Sequence, residues 1–160
     1  MRTRFDALIG ALVEEGVEFI LIGGVAAIAH GAARVTQDVD VVYARSAQNL
    51  ERIERALAEH APYPRGAPPG LPFIWDAETL RRGLNFTLTT NLGPIDLLGE
   101  ATGDGTYERL LPRAGEVELF GHRVRVVDLQ QLIMLKRAAG RPKDFEALAE
   151  LEALQEERDG

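Results

Sequence analysis

Residues 23–42 read GGVAAIAHGAARVTQDVDVV. The stretch follows VEFILIG, a run of β-branched and aromatic residues ending in glycine, which reads as a strand feeding a tight turn. The small side chains of VAAIAHGA then suit a short helix packed closely on a sheet, and DVDVVY alternates before becoming continuously apolar, giving a second strand. Asp38 and Asp40 sit two apart in that strand, so both carboxylates project from one face. Like charges this close raise each other's pKa unless a cation shares the site, and a divalent ion resolves the conflict. Mg2+ takes oxygen ligands, typically a couple of carboxylates together with substrate phosphates and water. Asp96 in PIDLL is a third acid with apolar neighbours, on what reads as an adjacent strand. Carboxylates from two neighbouring strands could hold two metals, one activating a hydroxyl nucleophile and one carrying a triphosphate. Gly23 and Gly24 supply the complementary half, because glycine lets the backbone approach a ligand and the free N–H groups at a helix start attract anions.

Outward from this core the chain alternates helices and strands. Phe5, Leu8, Ile9, Leu12 and Val13 recur at helical spacing. SAQNLERIERALAEHA opens with Ser46 as a capping serine and places Leu50, Ile53 and Leu57 on one helical face. PYPRGAPPGLP, with five prolines, reads as a loop, and a short helical turn is expected near Ala77 to Arg82. LNFTLTT and GPIDLLGE are strand-like runs joined at NLG, and EVELF and HRVRVV form another β pair turning near Gly121. Asp128 is placed to cap a helix through LQQLIMLKRAAG, ended by Gly140, and Pro142 suits the first turn of a last helix. The order predicts an α/β (α+β) fold with a mixed sheet flanked by helices, in a single domain over residues 1–160.

Composition bounds the function. The chain has 160 residues, long enough for one core. Without cysteine there is no disulfide framework and no thiolate metal site. No apolar run approaches the roughly 20 residues that cross a bilayer, and the N-terminus shows no signal-peptide pattern, so a cytoplasmic protein with no membrane partner is expected. A formal net charge of −7 argues against indiscriminate nucleic-acid binding, although a groove lined by Arg65, Arg81, Arg82, Lys136 and Lys143 could supply local positive charge.

The pattern GG…R-x-T-x-D-x-D resembles the signature of the DNA polymerase beta-like nucleotidyltransferase superfamily. Together with LKRAAGRPKDFEAL, it is similar to a small bacterial group related to the AbiEii-type toxin nucleotidyltransferases. The resemblance implies metal-dependent transfer of a nucleoside monophosphate from an NTP to an RNA (a tRNA among the options), a protein or a small molecule, with release of pyrophosphate. It also implies a toxin role with a cognate antitoxin, or a place in phage defence; oligomeric state stays open. Carried over, Gly23 and Gly24 hold the triphosphate, Asp38 and Asp40 bind metal, and Asp96 is the third acidic position, which orients or deprotonates the acceptor. Lys136, Arg141, Lys143 and Asp144 match the C-terminal motif, Lys136 as a catalytic candidate and Lys143 as a nucleotide-binding one. Many relatives have serine where this chain has Gly24, so backbone amides are expected to serve alone there, and a catalytically inactive module with the same fold is the alternative.

Other residues carry ordinary structural roles beside functional ones. Arg34 and Thr36 are nucleotide-binding candidates, equally suited to a salt bridge and a turn hydrogen bond. His30 reads as a partly buried helix-end histidine, and Phe73 with Trp75 as a cluster pinning the proline-rich loop.

Overall fold

The computed structural model describes residues 2–33 and 35–160. In chain order the elements are α1 (Phe5–Glu14), β1 (Phe19–Ile22), α2 (Gly23–Ala29), β2 (Val39–Tyr43), α3 (Ala47–Leu57), β3 (Tyr63–Pro64), α4 (Ala77–Arg82), β4 (Asn85–Thr89) and β5 (Ile95–Leu98). They continue with β6 (Glu100–Ala101), β7 (Gly105–Thr106), α5 (Tyr107–Leu110), β8 (Gly115–Leu119), β9 (His122–Val126), α6 (Leu129–Ala139) and α7 (Pro142–Asp159).

Seven strands form one mixed sheet in the order β3-β4-β5-β2-β1-β9-β8. β2 runs antiparallel to β1 but parallel to β5, and β1 runs parallel to β9. The centre of the sheet is dry: Ile20, Leu21, Val41, Val42, Ile95 and Leu97 are fully buried. That burial explains why β1 is apolar throughout whereas β4, near the edge, alternates. Helices α1, α3 and α4 pack together, and α2, α6 and α7 form a second group.

Local signals place the helices. The Ser46 hydroxyl accepts from the Asn49 N–H at 3.2 Å, and Leu50, Ile53 and Leu57 are buried beneath α3. Asp128 caps α6, which stops at Gly140 in the left-handed region, and Pro142 opens α7.

The structure differs from the sequence reading in three places. Asp38 lies just before β2, so only Asp40 belongs to the strand, and the glycine pair forms the first turn of α2. The proline-rich segment is not wholly loop, because Tyr63 and Pro64 pair with Thr89 and Leu88 as an edge strand, where proline's missing donor is harmless. Residues 100–113 hold the β6–β7 ladder, α5 and a short 3-10 turn, pieces too brief for any periodicity to reveal.

Candidate active site

Strand register builds the acidic centre. The parallel pairing of β2 with β5 sets Asp40 directly beside Asp96, so both carboxylates leave the same face of the sheet. Asp38, two residues earlier, comes in beside them, and each of the three offers a carboxylate oxygen within 4.8 Å of the others. Burial pushes the Asp40 carboxyl up to about 7, reinforced by the neighbouring charges of Asp96 and Asp38 and opposed by Lys136. Oδ1 of Asp40 is buried without a hydrogen-bond partner. An all-oxygen donor set with an orphaned, buried carboxylate oxygen suits a hard divalent cation such as Mg2+.

The glycine turn faces this centre because antiparallel pairing of β1 puts Ile22 opposite Asp40. Gly23 has φ +66, and a Cβ there would collide with Oδ2 of Asp40, so only glycine fits on both counts. At Gly24 a Cβ would lie 2.6 Å from Oγ1 of Thr36. The Thr36 hydroxyl therefore fills the space a side chain at position 24 would need. Ile22 provides no side-chain cap to α2, which leaves the first amides of the helix without a side-chain acceptor.

A cationic wall closes the other side. Lys136 comes from α6, and Arg141 and Lys143 from the start of α7. Asp144, only 1% exposed, anchors two of them: its carboxylate accepts from Nε of Arg141 at 2.8 Å and lies 3.6 Å from Nζ of Lys136. Burial pushes the Asp144 carboxyl up, but hydrogen bonds from the Arg141 side chain and backbone, with the charges of Arg141 and Lys136, outweigh it and hold it below the usual carboxylate range. The same pairing raises the Arg141 guanidinium.

Between the acids and this wall lies a cleft of about 650 Å3. Gly23, Gly24, Thr36, Asp38, Asp40, Asp96, Lys136, Arg141 and Lys143 all border it, and Leu98, Leu132 and Leu135 give it an apolar part. The structure thus gathers these sequence candidates in one place, while Arg34 falls outside the described residues. The basic groove that Arg65, Arg81, Arg82, Lys136 and Lys143 could have lined together is not assembled, because Arg81 and Arg82 pair with Glu78 on the exposed surface of α4. Arg65 instead reaches the carboxylates, with Nη2 at 2.8 Å from Oδ1 of Asp96 and Nη1 at 3.9 Å from Oδ2 of Asp38. Its placement depends on cross-strand register, since it directly follows β3 and its N–H continues the pairing with β4 through the Thr87 carbonyl. His30 stands away from this chemistry, its Nε2 2.6 Å from the Val127 carbonyl, and the Trp75 indole donates to the Glu54 carbonyl at 2.9 Å.

No protein-family model matches the sequence. The chain is 30% identical over 138 residues to the 5-methylthioadenosine/S-adenosylhomocysteine deaminase of Carboxydothermus hydrogenoformans. The match takes in 82% of this chain but only 31% of the deaminase, so the chain spans about a third of that protein's length. Among solved structures it resembles a Thermotoga maritima protein provisionally named a nucleotidyltransferase, with a TM-score of 0.55, 18% identity and coverage of 93% of this chain and 89% of that one. It also resembles the lincosamide antibiotic adenylyltransferase LnuA in its lincomycin-bound form, with a TM-score of 0.61, 14% identity and coverage of 96% of this chain and 99% of that one. The mixed sheet, its flanking helices and these two likenesses together show that the chain has the nucleotidyltransferase fold.

Proposed function

We propose that this chain is a nucleotidyltransferase domain that moves a nucleoside monophosphate from an NTP to an acceptor hydroxyl. The observation that carries the reading is the convergence of Asp38, Asp40 and Asp96 within 4.8 Å, facing a glycine turn, on a fold shared with an adenylyltransferase. In this reading Asp38, Asp40 and Asp96 hold Mg2+, which when bound neutralises triphosphate charge and acidifies a hydroxyl, with two ions accommodated if all three acids contribute. The amides of Gly23 and Gly24 and the Thr36 hydroxyl bind phosphate oxygens, and Lys136 and Lys143 face the charge that builds on the departing pyrophosphate. Arg141 adds charge on the same side. Asp96 orients the acceptor hydroxyl and takes its proton. The acceptor oxygen then bonds to the α-phosphorus in line as the bond to pyrophosphate breaks, a reaction promoted mainly by positioning and charge.

The acceptor is an RNA such as tRNA, a protein or a small molecule, and action as the toxin of a toxin–antitoxin or phage-defence pair is the biological setting that follows from the sequence pattern. Deaminase chemistry is not proposed. Among the described residues the metal-competent group contains no histidine, and His30, His60 and His122 lie at separate places, each against its own neighbour.

The test is transfer of label from α-32P NTPs, with Mg2+, into a total cell extract. We expect a labelled acceptor with the wild-type chain and none with D38A/D40A. Tight NTP binding with no transfer from any of the four nucleotides would overturn the enzyme reading in favour of an inactive binding module.

A further inference from the structure

Arg65 is built into the acidic centre more firmly than a surface arginine would be. Its N–H donates to the Thr87 carbonyl at 2.9 Å, extending the β3–β4 ladder, and its Nη2 donates to the Leu88 carbonyl at 2.8 Å. The surrounding segment is pinned as well: the Tyr63 hydroxyl donates to the Pro68 carbonyl, Phe73 packs edge-on to Tyr63 at 6.2 Å, and Trp75 is tied to α3 through Glu54. The approach of Nη2 to Asp96 is short but misaligned, an ion pair and not a hydrogen bond, and both Oδ1 of Asp96 and Nε of Arg65 are buried without a hydrogen-bond partner. The Arg65 side chain is only 28% exposed, so solvent screens its charge incompletely. It therefore contributes a fixed positive charge while leaving carboxylate lone pairs uncommitted.

We propose that Arg65 is the resident counter-cation of the carboxylate centre, a positioning residue that holds Asp38 and Asp96 in place without a divalent ion and, because it stays put, weakens the binding of that ion. The inference rests on the reading of the three acids as a metal site. Its anchors on Leu88 and Thr87 belong to the sheet backbone, so an incoming cation meets a site whose charge is already partly offset. The coupling is reciprocal: whatever Arg65 contributes to the metal-free state beyond its contribution to the loaded state must appear as lost metal affinity.

Mn2+ titration by calorimetry and thermal melts in EDTA or saturating MnCl2 test this on the wild type, R65Q, R65K and D40N. R65Q should bind Mn2+ about tenfold more tightly, melt several degrees lower in EDTA and recover most of that loss in Mn2+. R65K, which keeps the charge but loses the guanidinium's anchor on Leu88, should fall between the wild type and R65Q in affinity, and D40N should lose Mn2+ binding, which locates the ion. Unchanged or weaker Mn2+ affinity in R65Q, or an equal loss of stability with and without Mn2+ including failure to fold in both, overturns the role of Arg65 alone. A wild-type chain that binds no Mn2+ at millimolar concentration overturns the metal reading and this inference with it.

Discussion

The glycine turn shows how single atoms decide chemistry here. Gly23 is held by its left-handed backbone and by Asp40, whereas Gly24 is held only by the side chain it faces, with a Cβ 2.6 Å from Oγ1 of Thr36. A hydroxyl at this point therefore comes from Thr36 and leaves no room for one from position 24. G24S should lose about 1–3 kcal/mol by overpacking, and T36A in the same chain should return most of it; urea denaturation of the two single variants and the double variant reads the coupling directly. Equal losses with and without Thr36 would mean that the two positions do not compete for space.

One carboxylate helps set α6 against α7 at the cleft, beside the Arg137–Glu152 ion pair farther along the two helices. Asp144 is nearly completely buried and gathers the half-exposed Arg141 and the largely covered Lys136, so D144N leaves both without their counter-charge and should cost about 1–3 kcal/mol near neutral pH. The pH dependence follows from the sign of its shift. A carboxyl held lower in the folded chain than in the unfolded one stabilises above the unfolded pKa, and that stability drains as pH falls through the folded value. Wild type should thus lose ground to D144N as pH drops below about 4, with the difference between their denaturation midpoints narrowing. A constant difference from pH 7 to 3 would contradict the assignment. Asn49 does comparable work for α3 without charge. Fully buried, it accepts from the Glu18 N–H at 2.7 Å and donates to the Ala44 carbonyl at 2.6 Å, clamping the helix against the residue before β1 and the residue after β2.

Across the whole molecule the cleft draws on positions from Gly23 to Asp144, so a ligand bound there ties early strands to the last two helices. ATP with Mg2+ should accordingly protect the chain as a unit, raising the melting temperature by about 5 °C at saturating ligand, with D40N showing no Mg2+-dependent part. Scanning fluorimetry with ATP, Mg2+ and both together separates the contributions, and protection equal in wild type and D40N would place the nucleotide elsewhere. Most elements were legible beforehand because their signals are local: the Ser46 and Asp128 caps, the Gly140 stop, the period of Leu50, Ile53 and Leu57, and the apolar run of β1. The D-x-D pair and the glycine pair were each legible as local signals, while their meeting came from the antiparallel register of β1 and β2. Strand order, the parallel pairing that sets Asp96 beside Asp40, the reach of Arg65 across β4 and the competition of Thr36 for the space above Gly24 were decided only by the folded chain. Those contacts join residues far apart along the backbone. Periodicity and capping act within a few residues, whereas register, burial and ion pairing come from the single way in which all the apolar faces can be covered at once.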